Sequence, residues 1–370
     1  MTTVALRMVR PKTCWTVNLE KDGEKLEPES LSVNNNEEKP QGDETVPRRR
    51  MTIAEGLRPL LASTKVLGLY FDPPSTATGS DRKGKSRKWN ACVIYAVFVV
   101  VLLWINAVRM ISAFARDDEF GPTLFNKLQA ISWFVQSAVS QTTFCAASFS
   151  GRLAVVFDQQ VLDDSGARHA RRFSALCAAV AWSIVAAGSA LFVYLLLITT
   201  DISNDFYLAP FQNHILTRDP LVPRVIVSAV VFYVMSAYVF SQAATFVLAL
   251  IFSHQFRKLN RSLARLLDDD RRQVTESDVE ILRQKHQRIS MNISRVDDCL
   301  MFHLAAAFCC QLFTMIIHLY ALIFYQSEIN DPVVVVAYVY KMLLVSFGLL
   351  LTAAGGITVH HYVSVRFYWP

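Results

Sequence analysis

Six stretches of this chain are each long and apolar enough to cross a bilayer: 89 to 114, 123 to 149, 174 to 200, 222 to 252, 299 to 325 and 332 to 358. A hydrocarbon core about 30 Å thick needs roughly 20 mostly apolar residues per helix. Lipid offers backbone groups no partner, so runs of this length must satisfy their own hydrogen bonds as helices. The fold class that follows is an all-α integral membrane protein with six predicted transmembrane helices. Composition agrees: 52% of the 370 residues are hydrophobic and only 18% are charged, a balance outside that of soluble domains.

Lys and Arg collect on the cytoplasmic side of membrane proteins. Residues 1 to 88 hold 16 of them, 150 to 173 hold 4 and 253 to 298 hold 10, whereas the alternate loops offer only Arg116, then Arg218 and Arg224, then none from 326 to 331. Those poorer loops carry Asp117, Asp118, Glu119, Asp201, Asp205, Asp219, Glu328 and Asp331. A cytoplasmic N-terminus fits every loop. The net charge of +6 follows this topology, and with no DNA-binding motif in the chain it implies no nucleic-acid partner.

Residues 1–50, with the run "NNNEEKPQGDETVPRRR", bury too little apolar surface to offset the entropy of ordering and read as a disordered cytoplasmic tail. Residues 51–88 read as an interfacial segment and basic linker. Ile53, Leu57, Leu60, Leu61 and Leu67 make a partly amphipathic stretch that suits the inner membrane surface, and "DRKGKSRK" follows. Spans 1–4 occupy 89–252, spans 5 and 6 occupy 299–358, and 359–370 is a short tail.

Between the fourth and fifth spans, residues 253–298 read as a cytoplasmic helical anchor. Phe256, Leu259, Leu263 and Leu266 recur at helical spacing, so the fourth helix is expected to continue past the bilayer. In "SDVE", Ser277 is placed to cap the next helix with Glu280 reaching back. From there Leu282, His286, Ile289, Ile293 and Val296 form a seam that runs into the fifth span. The two helices can cover each other or join a neighbouring subunit.

Polar side chains inside spans face other helices or a cavity. In the fifth span Gln311, Thr314, His318 and Tyr325 share one face; in the second, Gln129, Ser132, Gln136 and Ser140 do the same, with Trp133 beside them. Lys341 lies about 13 Å along the sixth helix from Pro332. Tyr194, Tyr233 and Tyr338 suit a pocket, since an aromatic ring with a hydroxyl can both stack and bond. Two readings stay open: the stripes bond helix to helix and Lys341 snorkels, or the stripes line a water-filled ligand pocket in the outer half. Such a mixture suits a sugar or a bitter compound.

The chain has no "HExxH" pairing and no Gly-rich phosphate loop, so no enzyme is expected. Its seven cysteines show no metal-ligand spacing, and neither cofactor nor metal is implied. A G-protein-coupled receptor, with its N-terminus outside, fails on charge bias and lacks the "DRY" and "NPxxY" patterns.

Three stretches carry a resemblance: "AEGLRPLLASTKVLGLYFDPP" ahead of the first span, "FRKLNRSLARLL" leaving the fourth, and "LRQKHQRISMNISRVDDCLMFHLAAAFCCQL" leading into the fifth. With the span order, they make residues 51 to 360 similar to the insect gustatory receptors. The resemblance implies a ligand-gated, non-selective cation channel with seven spans, assembled as a homo- or hetero-tetramer with other receptor subunits. The cytoplasmic ends of the later helices would join the subunits, and the seventh helices would surround the pore. It also implies a small-molecule tastant held among the outer halves of the second to sixth spans. The setting would be the plasma membrane of a chemosensory neuron dendrite. The chain departs from the family at its end, "TVHHYVSVRFYWP", where a seventh helix with Thr-Tyr and Gln-Phe pairs is expected. Truncation is the favoured reading, a non-conducting regulatory subunit the alternative.

Overall fold

The computed structural model describes residues 51–71, 91–111, 114, 121–159, 161–162, 164–198, 221–268, 275–324 and 332–364. The tail 1–50, the basic linker, most of 112–120, the loops 199–220 and 325–331, Tyr325 included, the rest of the "DDDRRQ" cluster after Asp268 and the last six residues lie outside them. Among the described residues are eight helices: α1 Ile53–Val66, α2 Ala91–Ile111, α3 Pro122–Phe149, α4 Arg152–Gln159, α5 Asp164–Ile198, α6 Leu221–Asp268, α7 Glu276–Phe324 and α8 Pro332–Ser364. Two short strands, β1 Met51–Thr52 and β2 Val161–Leu162, pair antiparallel with Met51 opposite Leu162.

Five helices contain segments long and apolar enough to cross a membrane: Ala91–Ile111, Gly166–Leu196, Val222–Leu266, Glu276–Phe324 and Val335–Thr358. The sixth predicted span is α3. Its 28 residues reach about 42 Å, but its amides and hydroxyls dilute the hydropathy below that of the other five. These polar groups face inward: Gln129, Ser132, Gln136, Ser137, Ser140 and Gln141 are all buried. Lipid-type surface lies elsewhere. On α2, Ile94, Val97, Phe98, Val101, Ile105 and Val108 are exposed as one stripe, far more apolar than a soluble surface tolerates.

The centre of the bundle is α6. In its most apolar window 67% of residues are buried, against 33% or less in the other four segments. It packs on α5, α8 and α3, while α3 in turn packs on α7 and α2.

Residues 51–71 pack on the bundle. The stripe of α1 is used within the protein: Ile53, Leu57 and Leu60 are buried and the helix lies on α5. Polar links hold it there. Leu60 N–H donates to Ser174 Oγ at 3.3 Å, and Trp182 Nε1 donates to Ser63 Oγ at 3.0 Å. Thr52 and Glu55 close a capping box at its start, satisfying two otherwise orphaned donors. An amphipathic stripe has the same pattern whether lipid or another helix covers it, and here Ile53, Leu57 and Leu60 are covered by the protein itself. The predicted loop 150–173 is likewise largely helical, taken up by α4 and the first turns of α5.

Candidate functional site

Polar side chains of α3 meet those of α7 along a seam. His318 Nδ1 lies 2.8 Å from the Thr314 carbonyl oxygen, which places the ring proton on Nδ1, so the bare Nε2 accepts from Gln129 Nε2 at 2.8 Å. Ser132 Oγ donates to the Cys310 carbonyl at 3.3 Å and accepts from Thr314 Oγ1 at 3.4 Å. Farther along, Ser140 Oγ donates to Gln136 O at 2.8 Å; it therefore accepts from His303 Nδ1, 2.9 Å away. Much of the two predicted stripes is spent here, bonding helix to helix.

On the adjoining flank of α3 a cavity of about 60 Å³ opens between α3, α5, α6, α7 and α8. Of the residues singled out from sequence, Gln129, Trp133, Gln136, Thr314 and Lys341 line it. Gln311 and His318 stand behind the wall: Gln311 Nε2 donates to the Tyr238 hydroxyl at 3.3 Å, and His318 orients Gln129. The three tyrosines do not reach it. Tyr194 is 43% exposed, Tyr233 shares a hydrogen bond with Tyr95 at 3.1 Å, and Tyr338 donates to Asn126 Oδ1 at 2.6 Å.

The lining residues that the sequence did not suggest are mostly apolar: Leu191 and Phe192 on α5, Met235 and Tyr238 on α6, Tyr340 and Leu344 on α8. Gly188 sets the spacing. A Cβ there would overlap Met235 Cε and stand 2.6 Å from the Tyr340 hydroxyl, so a larger residue would have to displace the ends of both side chains. Gly348 does the same on α8, where a Cβ would stand 2.7 Å from Gln311 Nε2 and 2.8 Å from the Tyr238 hydroxyl.

Depth follows from helix counting. Gln129 is about 10 Å from the start of α3, Lys341 about 13 Å from the start of α8, and Thr314 about 15 Å from the end of α7. The cavity thus belongs to the half of the bundle where α3 and α8 begin. A larger apolar groove of about 590 Å³ lies between α6, α7 and α8 in the other half. Its walls, Phe246, Phe252, Leu300 and Phe308 among them, offer little polar chemistry, and Thr352 donates to Gln242 Oε1 at 2.9 Å. The smaller cavity has the convergent polar groups that fix a ligand's orientation.

The stretch 253–298 is helical over 253–268 and 276–298. α6 and α7 run without a break past the apolar region, as their 48 and 49 residues require. Phe256 is buried and its ring lies 5.6 Å from His286, edge to face. Ile289 is buried, and Leu259, Ile293 and Val296 pack against the same core, while Leu263 and Leu282 are half-buried. The cap of α7 differs from the predicted Ser277 and Glu280. Thr275 and Asp278 form it instead, with Asp278 N–H donating to Thr275 Oγ1 at 3.3 Å and Thr275 N–H to Asp278 Oδ2 at 3.4 Å. A hydroxyl two residues earlier, with a carboxylate three positions beyond it, closes the same box one half-turn sooner. Glu280 is left to bond Arg283 at 2.7 Å.

The sequence profile described as "7tm Chemosensory receptor" matches residues 57–360. A comparison with curated protein sequences finds no match. Among solved structures, the fold is similar to the insect olfactory receptor OR5 from Machilis hrabei, with a TM-score of 0.59 and 15% identity over 83% of this chain and 80% of that one. The same receptor in complex with eugenol gives a TM-score of 0.63 and 14% identity, covering 84% of this chain and 81% of that one.

Proposed function

The chain belongs to the 7tm chemosensory receptor family, and from that premise we propose that it is a subunit of a ligand-gated, non-selective cation channel of gustatory type, tuned to a small-molecule tastant. The observation that carries this reading is the convergence of Gln129, Gln136, Thr314 and Lys341, from three helices, on one cavity beside Trp133. The solved relative with eugenol bound supports a small apolar ligand for this fold. The charge bias of the loops supports a cytoplasmic N-terminus, and with it a cavity in the outer half of the membrane.

The mechanism starts from size. About 60 Å³ admits a few water molecules or a very small solute and falls short of the several hundred Å³ of a typical ligand pocket. A larger ligand must therefore push the walls apart. Met235 and Lys341 are the flexible members of that wall, and moving them changes the spacing of α5, α6 and α8. A ligand biases an equilibrium only by binding one arrangement more tightly than the other. Here occupancy favours the wider arrangement. α6 and α7 carry it to the cytoplasmic hairpin, where the seam of Phe256, Leu259, Leu263, Leu282, His286, Ile289, Ile293 and Val296 joins the subunits of a tetramer and the shared pore opens.

The test is a set of cation-current recordings from cells that express the chain alone and with other receptor subunits, challenged with sugars and bitter compounds. Trp133→Ala and Thr314→Val should shift the dose–response curve at least tenfold at unchanged surface expression; identical curves would remove the cavity from the mechanism. In the same cells, an N-terminal tag should be stained only after permeabilisation. Ile289→Asp with Ile293→Asp should abolish crosslinked oligomers.

A further inference from the structure

The cavity is electrically lopsided. Among the described residues, Lys341 is the one charged residue that lines it, and no Asp or Glu does. Among the described residues the Lys341 ammonium makes no hydrogen bond or ion pair; its nearest recorded aromatic partner is the Tyr338 ring, with Nζ 6.0 Å from the centroid. Gln136, only 2% exposed, presents an Nε2 that meets no protein acceptor. The Tyr238 hydroxyl accepts from Gln311, and its own proton has no acceptor among the described residues. Lys341, Gln136 and Tyr238, each bearing a donor, thus line a space whose walls also include Gln129, Thr314 and Tyr340 and the apolar Leu191, Phe192, Met235 and Leu344.

A cation this far from the membrane surface is costly unless it is paired. A neutral ligand would leave that cost in place, and a cationic one would add to it. A carboxylate would remove it, accepting from the ammonium in a charge-assisted hydrogen bond while a second oxygen takes the orphaned amide N–H of Gln136. Resting on the reading of this cavity as the ligand site, we propose that its ligand is a small organic acid in carboxylate form, with Lys341 as counter-ion, Gln136 as second donor and the apolar walls holding the hydrocarbon body.

Thermal unfolding of the purified full chain in detergent tests this without requiring channel activity. The probes form one matched series: butanoate, butanamide, butan-1-ol and butan-1-amine, at equal concentration and pH. Butanoate is expected to raise Tm in a concentration-dependent way, and the other three are not. Lys341→Met and Lys341→Gln, which remove a half-buried charge, unpaired among the described residues, and should fold at least as well, are expected to weaken the apparent butanoate affinity at least tenfold. Lys341→Arg should keep most of it, and Gln136→Leu should lose several-fold. If the neutral probes bind and butanoate does not, or if Lys341→Met binds butanoate as the parent does, the carboxylate assignment is overturned while the cavity remains a ligand site. If none of the four shifts Tm, the ligand-site reading falls and takes the assignment with it. An equal shift with potassium iodide would mark an inorganic anion site and also overturn it.

Discussion

The two flanks of α3 carry the same chemistry and put it to different ends. Towards α7, amide, hydroxyl and imidazole groups pair across the helices, Gln129 with His318 at 2.8 Å, Ser132 with Thr314 at 3.4 Å and Ser140 with His303 at 2.9 Å, while His303 Nε2 and Gln311 Oε1 are left without a partner among the described residues. Towards α5 and α8, Gln136 Nε2 has no acceptor and Lys341 no counter-charge among the described residues. In lipid a satisfied polar contact holds helices together, whereas an unsatisfied buried group is a cost that a structure keeps only for a reason. The lesson is that both flanks keep orphaned polar atoms, and that the ammonium of Lys341 beside an open cavity, without a counter-charge among the described residues, is what sets the candidate site apart.

The contrast can be broken most forcefully at Gly188. Gly188→Val would drive a side chain into Met235 and Tyr340, and overpacking of this kind costs about 1–3 kcal/mol. Tm in detergent should fall and ligand responses vanish; an unmoved Tm would mean that Met235 and Tyr340 swing aside without disturbing the packing of α5, α6 and α8. On the paired flank, His303→Leu deprives Ser140 of its cross-helix partner, at a cost of about 0.6–1.7 kcal/mol by the same measurement. Gln136→Leu sharpens the comparison, because it removes an amide side chain from the other flank and breaks no native side-chain bond. It should stay within about 0.5 kcal/mol of the parent while altering ligand sensitivity. If it destabilised as much as His303→Leu, the two flanks would not differ.

The smallest effect is expected outside the membrane and sets the zero of the scale. Hydrogen bonds from Arg283, then Gln284, hold the Glu280 carboxyl down to about 2. A carboxyl lowered on folding contributes above the free range of about 4.3, and that contribution is lost as pH falls from there towards 2. No change is expected between pH 5 and 8. Since the pair lies at the surface, with its side chains 64% and 43% exposed, Arg283→Gln should leave Tm unmoved at neutral pH.

Much of this was legible in the sequence. The polar faces of α3 and α7 follow from the three- and four-residue spacing of Gln129, Ser132, Gln136 and Ser140, and of Gln311, Thr314 and His318. What spacing cannot show is which partner each residue meets. Gln129 and Gln136 are two turns apart on one face, yet one is tied to His318 and the other is free to bind. On α8 the residues are apolar nearly all round, so nothing distinguishes the inward side. Tyr338 and Tyr340 lie about 200° apart on a helix, and it is Tyr340 that lines the cavity. The α5 wall was hidden for a different reason: Gly188, Leu191 and Phe192 read as ordinary lipid-facing residues until α6 and α8 are placed against them. Tyr194 shows the converse error, since a hydroxylated ring drew attention to a position on the exposed side.

Neither α7 nor the part of α6 beyond Pro223 contains a glycine or a proline, so neither has a built-in hinge between cavity and hairpin. From Tyr238 to Phe256 is about 27 Å of unbroken helix. A tilt of about 5° at the upper point displaces the lower one by roughly 2 Å, comparable to the small translations that switch subunit contacts elsewhere. These two helices are stiff levers: whatever angle the cavity imposes is delivered, undamped, to the place where one subunit would grip the next.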